Sequence, residues 1–298
     1  MRILLFGPTG QVGWELQRAL APLGQLVACG RDSVDLADRT SLAAAIARHQ
    51  PDVLVNAAAY TQVDRAESDP ASAERINAAA VGEMADAMAA RGGWFLHYST
   101  DYVFDGTKAG VYREDDPAAP LGVYGASKRA GEVAAAAAGG RHLVLRTSWV
   151  YAARGQNFVR TMLRLAKERQ SLRVVADQTG SPTSAELIAD VTAHALKRVL
   201  DDGTESDRMS GLYHLTADGH TTWHGLASRV IGQADNAGAQ LSCRAENVEP
   251  IGTSDYPTPA QRPANSRLDT TRLRETFGIT LPDWRYHVDR TVAELTEQ

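Results

Sequence analysis

The N-terminus of the chain places a glycine-rich turn between a short apolar run and a helix-like pattern. Residues 3–6 are apolar, residues 7–13 read GPTGQVG, and apolar residues at helical spacing continue to Leu20. Glycine permits a tight turn and a close approach of phosphate to the backbone, and the helix N-terminus behind it offers free N–H groups. The GxxGxxG spacing alone also occurs in ordinary turns. Between a strand and a helix, however, it predicts a nucleotide-binding site.

Strand and helix patterns alternate through the first half of the chain. Short apolar runs predict strands and amphipathic stretches predict helices: strands at 3–6, 26–29, 53–55, 94–98 and 142–146, and helices at 40–48, 71–91 and 122–138. Such alternation is typical of a parallel sheet that helices cover on both faces. We therefore predict an α/β fold with a Rossmann-type doubly wound parallel sheet.

The pattern becomes less regular after about residue 150. It predicts helices at 155–169, 184–200 and 222–235, strands at 172–176 and 211–216, a loop at 201–210, and either an ordered binding segment or a loop at 250–266. We predict an NAD(P)-binding domain over residues 1–150, with a returning segment near 184–212. Residues 151–298 would form mainly a smaller C-terminal substrate-binding α/β domain.

The amino-acid composition limits the classes of molecule that the protein is expected to bind. Lys and Arg total 31 against 36 Asp and Glu, so the formal net charge is −5. This mild acidity argues against binding nucleic acid through a broad basic face. No apolar run reaches the roughly 18 residues of a membrane span, and two distant cysteines, Cys29 and Cys243, suit a reducing compartment. We predict a cytoplasmic protein with a small-molecule substrate, and with neither a nucleic-acid nor a membrane partner.

The residues after the second predicted strand bear on the choice of cofactor. An acid commonly stands there in enzymes that bind the free ribose of NAD, whereas this chain reads Gly30-Arg31-Asp32. A guanidinium pairs well with a 2′-phosphate. The sequence therefore favours NADPH, with NADH as the alternative, because Arg31 beside Asp32 could also be a solvated surface residue. Asp35 and Leu36 lie where a loop could cover the adenine.

Tyr124 and Lys128 are four residues apart on a predicted helix and so share one face. A nearby ammonium stabilises a phenolate, so we expect Lys128 to lower the pKa of Tyr124 from about 10 and fit it for proton transfer. YxxxK pairs are common by chance, and a surface pair is the alternative. Thr100 follows the fourth predicted strand and would reach the same crevice, where it could hydrogen-bond a reacting carbonyl.

Several further segments carry a family resemblance. They are NAAA at 56–59, STDYVFDG at 99–106, VYGASKRAGE at 123–132, RTSWVY at 146–151, DQTGSPT at 177–183, LYHLTADG at 212–219 and YPTPAQRPANSRL at 256–268. Together with the glycine turn they resemble the dTDP-4-dehydrorhamnose reductases of the extended short-chain dehydrogenase/reductase superfamily, over essentially the whole chain. The resemblance implies reduction of the 4-keto group of dTDP-4-dehydro-L-rhamnose to dTDP-L-rhamnose, which supplies cell-surface polysaccharide. The alternatives are a sugar-nucleotide epimerase of the same superfamily and a non-catalytic NADP-binding regulatory subunit.

The resemblance also implies roles for individual residues. Tyr124 would donate a proton, Lys128 would bind the nicotinamide ribose and tune Tyr124, and Thr100 would hold the substrate oxygen. The remaining cofactor contacts would be Gly7, Gly10, Gln11, Val12, Gly13, Arg31, Asp35, Leu36, Ala57, Ala58, Ala59, Tyr60, Thr61 and Tyr98. The substrate contacts would be Thr100, Asp101, Tyr102, Trp149, Arg262 and Asn265. A flat ring such as Trp149 suits a sugar face, with a core tryptophan as the alternative.

Some members of this family hold magnesium with three glutamates at a dimer interface, and Glu15, Glu186 and Glu294 stand at the matching positions. Carboxylates suit a hard cation that keeps several of its waters, although three surface acids are the alternative. The resemblance therefore implies a homodimer, with magnesium as an optional component. Tyr60 replaces a histidine that is frequent in the family, and an aromatic ring there can still pack beside the cofactor.

Overall fold

The computed structural model describes residues 1–297, apart from the side chains of residues 204 and 205. Its strands are β1 (Arg2–Phe6), β2 (Gln25–Cys29), β3 (Val53–Asn56), β4 (Trp94–Thr100), β5 (His142–Thr147), β6 (Val150–Tyr151), β7 (Leu172–Val175), β8 (Thr179–Gly180), β9 (Thr183–Ser184), β10 (Gly211–His214), β11 (Thr221–Thr222), β12 (Val248–Ile251) and β13 (Asn265–Ser266). Six of them form a parallel sheet in the order β10-β5-β4-β3-β1-β2.

The helices are α1 (Gln11–Leu20), α2 (Arg39–His49), α3 (Val63–Ala66), α4 (Pro70–Glu74), α5 (Ala80–Ala90), α6 (Val123–Ala137), α7 (Phe158–Glu168), α8 (Ala185–Asp201), α9 (Trp223–Asn236), α10 (Thr271–Phe277) and α11 (Trp284–Thr296). Apolar cores lie on both faces of the sheet. Ile3 and Leu5 of β1 face the core that contains α1 and α8, whereas Leu4 and Phe6 face the core that contains α2 and α5. Both faces of β1 are therefore apolar, and the prediction of a Rossmann-type doubly wound sheet is confirmed.

The edge strand beside β5 comes from the second half of the chain. β10 pairs with β5 in parallel, with Leu212 opposite Val144, and its preceding helix α8 packs on α1. The remaining strands make small sheets, in which β8 lies between β11 and β13, β7 pairs with β12, and β6 pairs with β9. The division into two domains at residue 150 stays a prediction.

Two predicted elements differ from the observed ones. The predicted helix over 71–91 is divided, because a π-helical segment at Arg75–Ala79 separates α4 from α5. The predicted loop over 201–210 is wrong, since Gly203–Met209 is a 3-10 helix that continues from the end of α8. The polar stretch at 203–209 lacks the apolar spacing by which helices are recognised, and the helical pattern continues through 75–79 without marking the π-helical turn. Within the described residues, no helix is long and apolar enough to cross a membrane.

Candidate active site

The glycine turn is packed so closely that only glycine fits at two of its positions. A Cβ on Gly7, whose φ is +78°, would lie 2.7 Å from the amide nitrogen of Ala58, and a Cβ on Gly13 would lie 1.9 Å from the carbonyl oxygen of Gly7. α1 begins after Gly10 with no side-chain cap. The described residues supply no hydrogen-bond acceptor to the N–H groups of residues 11–13. The turn therefore offers uncapped N–H donors at the start of α1, and their contact with a pyrophosphate stays a prediction.

A segment between β6 and α7 lies beside this turn, a contact that was not predicted from the sequence. Asn157 donates from Nδ2 to Gln11 Oε1 at 2.8 Å. The guanidinium of Arg154 stacks 3.6 Å from the ring centroid of Trp14. Residues about 140 positions apart meet here, a contact that no local pattern could predict. The segment fixes one side of the predicted cofactor cleft.

The end of β2 presents the residues predicted to select the cofactor. Arg31 is exposed, and within residues 1–297 it has no hydrogen-bond or ion-pair partner. Asp35 accepts a hydrogen bond from the Ala37 amide at 2.9 Å, and Leu36 is buried. Arg31 is thus a free cation at the strand end where a 2′-phosphate would lie, although its contact with cofactor stays a prediction.

The predicted cofactor segment 57–61 is held by its neighbours on both sides. Ala57 donates its N–H to the Phe6 carbonyl at 3.0 Å. Tyr60 is clamped by Asn77, whose Oδ1 accepts from the Tyr60 N–H at 2.9 Å and whose Nδ2 donates to the Tyr60 carbonyl at 3.0 Å. Asn77 belongs to the π-helical segment and also donates to Ser127 at 3.1 Å. The irregular turn of helix therefore aims a side chain that fixes this loop.

The end of β4 and the start of α6 bring the predicted reaction residues together. Thr100 Oγ1 donates to Asp101 Oδ1 at 3.1 Å and accepts from the Tyr102 amide at 3.2 Å. The Tyr102 and Tyr124 rings meet edge to face, with centroids 5.6 Å apart. Burial raises the pKa of Tyr124 to about 12, the negative charge of Asp101 adds to this, and a hydrogen bond with Thr100 acts against it. The expected lowering of the Tyr124 pKa is therefore wrong.

Asp101 is a buried carboxylate directly beside this group. Its side chain is 3% exposed, and its Oδ2 has no hydrogen-bond partner among the described residues. Burial raises its pKa to about 6, and nearby hydroxyls act in the opposite direction. A carboxyl with this pKa changes its charge close to neutral pH.

The side chain of Lys128 contacts β4 rather than the Tyr124 hydroxyl. Its Nζ donates to the carbonyl oxygen of Tyr98 and lies 3.1 Å from His97 Nε2. Burial lowers the pKa of Lys128 to about 7, and the negative charge of Glu132 opposes that change. The Tyr98 hydroxyl turns to the opposite face of the sheet and hydrogen-bonds Thr192 of α8 at 2.8 Å. The main chain of Tyr98, rather than its hydroxyl, therefore faces the site.

The predicted substrate residues of the C-terminal half have protein partners of their own. Arg262 pairs through Nη2 with both carboxylate oxygens of Asp64, at 2.8 and 2.9 Å. Asn265 donates to the carbonyls of Lys108 and Gly110 and accepts from Arg267. The Asn265 side chain therefore supports the loop at 108–110. A contact of either residue with a nucleotide diphosphate stays a prediction.

A sequence model described as the RmlD substrate binding domain matches residues 1–297. The chain belongs to the RmlD family.

Relatives and solved structures named dTDP-4-dehydrorhamnose reductase are similar to this chain over 98–100% of its length. A dTDP-4-dehydrorhamnose reductase of Burkholderia thailandensis is 52% identical over 298 residues and covers 100% of both chains. A crystal structure of a Clostridium acetobutylicum dTDP-4-dehydrorhamnose reductase superposes with a TM-score of 0.88 at 30% identity, covering 100% of each chain. The Bacillus anthracis dTDP-4-dehydrorhamnose reductase in complex with NADP gives 0.85 at 31% identity, covering 98% of this chain and 99% of that one.

The three glutamates matched to the magnesium-using members of the RmlD family do not meet within one chain. Over residues 1–297, no three His, Cys, Asp or Glu side chains form a group that could hold a metal ion. Glu186 accepts from Arg290 at 2.9 Å and lies 3.4 Å from His287. A carboxylate that is already paired with a guanidinium is a poor ligand, so the residues of a single chain do not fit a divalent cation. A site shared by two chains stays a prediction.

Proposed function

We propose that this RmlD-family protein is an NADPH-dependent reductase that converts dTDP-4-dehydro-L-rhamnose to dTDP-L-rhamnose. One observation carries the proposal: the Thr100 hydroxyl lies in hydrogen-bonding contact with Tyr124, on the helix that also carries Lys128. This occurs in a chain that is 52% identical, end to end, to a protein named dTDP-4-dehydrorhamnose reductase. NADPH, when bound, supplies the hydride that forms the new C–H bond at the 4-position of the sugar.

The residues of the chain supply the proton and the orientation. The Tyr124 hydroxyl delivers its proton to the carbonyl oxygen as the hydride reaches the carbon, so the ketone becomes a secondary alcohol. The Thr100 hydroxyl donates to the same oxygen and holds it toward Tyr124. Lys128 binds the nicotinamide ribose. The raised pKa of Tyr124 keeps the phenol protonated at neutral pH, which is the form that a proton donor requires.

The cofactor-binding elements fit NADPH. The N–H groups after Gly10 would bind its pyrophosphate, and the guanidinium of Arg31 would bind its 2′-phosphate. Asp101, Tyr102 and Trp149 would contact the sugar, with Arg262 at the diphosphate. The reaction needs no metal, and the proposals of a homodimer and of a cytoplasmic location rest on the family resemblance and the cysteine content.

The test is NADPH oxidation with enzymatically supplied dTDP-4-dehydro-L-rhamnose. We expect Tyr124→Phe to lower turnover by about 10²- to 10⁴-fold while NADPH still binds, because only the proton donor is lost. Tyr213→Phe is the matched control, because this buried hydroxyl donates to the Met209 carbonyl away from the site. Unchanged turnover of Tyr124→Phe would refute the catalytic assignment. Sugar turnover without net NADPH oxidation would instead support an epimerase.

A further inference from the structure

A row of buried polar side chains connects Lys128 to the strands beneath it. Asn56 of β3, His97 of β4 and Lys128 of α6 are 0%, 1% and 2% exposed. Asn56 Nδ2 lies 3.1 Å from His97 Nδ1, and His97 Nε2 lies 3.1 Å from Lys128 Nζ. Neither Asn56 nor His97 is among the site residues predicted from the sequence.

The backbone fixes which way the Asn56 amide points. Asn56 Oδ1 accepts a hydrogen bond from the Ala58 N–H at 3.1 Å, so the NH₂ end of the amide faces His97. An NH₂ group can only donate, which makes His97 Nδ1 the acceptor. A neutral imidazole carries one N–H, and in this arrangement that N–H must be on Nε2. Burial holds the pKa of His97 well below its usual value, so the ring is neutral.

The tautomer of His97 determines whether Lys128 can be a neutral amine or an ammonium. An N–H on Nε2 points at Lys128 Nζ and needs an acceptor there. An ammonium has three donors and no lone pair, whereas a neutral amine has a lone pair and keeps an N–H for the Tyr98 carbonyl. The hydrogen bonds of the row are therefore all satisfied only when Lys128 is a neutral amine.

We propose that Asn56 and His97 are positioning residues that hold Lys128 as a neutral amine in the unliganded site and oppose its conversion to an ammonium. For Lys128 to take up a proton, the imidazole proton must move from Nε2 to Nδ1, and the Asn56 amide must turn over to accept it. The turned amide would present its NH₂ end to the Ala58 N–H, leaving that donor without an acceptor. Ala58 N is also the atom against which Gly7 packs in the phosphate-binding turn, so the row links the lysine to the cofactor cleft.

The other charged groups around Lys128 do not account for a neutral amine. Glu132, on the same helix, favours the ammonium, but Arg146 of β5 binds both of its carboxylate oxygens at 2.7 Å. Tyr124 stands one turn earlier on α6, and Asp101 affects Tyr124 rather than Lys128. On its other side His97 stacks on the uncharged ring of Phe95. The proposal bears on turnover only through the proposed function, because Lys128 tunes proton transfer only if Tyr124 is the donor.

Two NMR measurements on the unliganded protein test the proposal without any assay of activity. The first uses ¹⁵N-labelled histidine in the wild type. We expect His97 to show a protonated Nε2 and a bare Nδ1 above pH 7.5, and to exchange toward the opposite tautomer as Lys128 takes up its proton. A bare Nε2 throughout the pH range would overturn the proposal, even if every variant failed to fold.

The second measurement follows Lys128 in protein with ¹³C-labelled lysine. Lysines occur only at positions 108, 128, 167 and 197, and Lys128→Met identifies the signal of interest. We expect a midpoint near pH 7 in the wild type. In His97→Gln the amide oxygen can accept from an ammonium without any change in charge, so the proton affinity of Lys128 should rise at least tenfold. An unchanged midpoint in His97→Gln would overturn the proposal. A rise of the Lys128 midpoint in Asn56→Asp but not in His97→Gln would also overturn the proposal, because the negative charge added by that substitution would then explain the rise.

Discussion

The indole ring of Trp149 lies flat on the indole ring of Trp223, with centroids 3.5 Å apart and 8° between their planes. The ring of Phe158 also packs on Trp223, with centroids 4.6 Å apart. A Cβ added to Gly180 would lie 2.5 Å from the Trp149 ring, and Trp149 itself has a positive φ of 49°. The protein therefore covers much of the ring that was predicted to contact a sugar. A substrate must use the uncovered part of the ring or displace it.

We expect Trp223→Leu to disturb both stability and substrate binding. Truncating a packed tryptophan leaves a cavity, and the cost should be about 3 kcal/mol in the free energy of unfolding. Trp149 would lose its stacking partner, so KM for the sugar nucleotide should rise more than KM for NADPH. Urea denaturation and initial rates measure the two effects, and near-UV circular dichroism reports the loss of the stacked pair. Trp14→Leu, at a half-exposed tryptophan, is the control for stability. Equal stability of the two variants would contradict the packing argument.

The sheet and the Tyr124–Lys128 helix were predictable because their signals are local. An apolar run between turn residues identifies a strand such as β3, and four-residue spacing places Tyr124 and Lys128 on one face. The contacts that decide their chemistry are not local. Lys128 meets His97 and Tyr98, which lie about 30 residues earlier. Burial then gives both Tyr124 and Lys128 pKa values that the spacing alone could not show.

Contacts between residues that lie far apart in the sequence could not be predicted. Trp149 and Trp223 stack although they lie about 70 residues apart, and no periodicity links positions so distant. Asn77 was predicted within a plain helix, yet the π-helical segment turns its side chain to Tyr60. Such irregular turns arise from tertiary packing, so propensities within the helix do not signal them.

The free energy of unfolding should fall as the pH rises, because the raised pKa of Asp101 favours its protonated form in the folded state. The folded carboxyl has a pKa of about 6, against about 3.9 for an unfolded aspartate. Between pH 4 and 6 the folded chain binds more protons, so the free energy of unfolding falls as pH increases and the full cost applies above pH 6. Asp101→Asn should therefore gain about 3 kcal/mol at pH 8 and little at pH 4.

Urea denaturation of Asp101→Asn at both pH values measures this difference. Asp115→Asn is the matched control, since Asp115 is exposed and should gain nothing at either pH. A gain for Asp101→Asn that is the same at pH 4 and pH 8 would mean that its charge is not the cause. NADPH turnover in the same variant should fall, because the residue stands in the proposed substrate site.

The pair formed by Arg146 and Glu132 should be the most costly ion pair to break. Their side chains are 1% and 2% exposed, and Arg146 donates through two nitrogens at 2.7 Å. Arg146→Met leaves a buried carboxylate without its main partner, which should cost about 3–5 kcal/mol in unfolding free energy. The double variant with Glu132→Leu should recover part of this loss, because no buried charge then remains.

Urea denaturation measures that series, and Arg164→Met provides the comparison. Arg164 pairs with Glu168 on the surface of α7 at 2.9 Å, and an exposed pair at this spacing contributes less than about 1 kcal/mol. If Arg146→Met lowered the free energy of unfolding no more than Arg164→Met does, the buried pair would not be the more costly one to break.

Arg31 should discriminate between the two nicotinamide cofactors. Its guanidinium is exposed at the end of β2, with no partner in the described part of the chain, so it is free to pair with the 2′-phosphate that only NADPH carries. A charge-assisted hydrogen bond contributes about 1.5–3 kcal/mol. Arg31→Ala should therefore weaken NADPH binding by about 10- to 100-fold while NADH binding changes less than threefold. Fluorescence titration with each cofactor measures both constants. Arg173→Ala, at an exposed arginine of β7, controls for the loss of one positive charge from an acidic protein. Equal weakening of NADPH and NADH by Arg31→Ala would show that the residue does not read the 2′-phosphate.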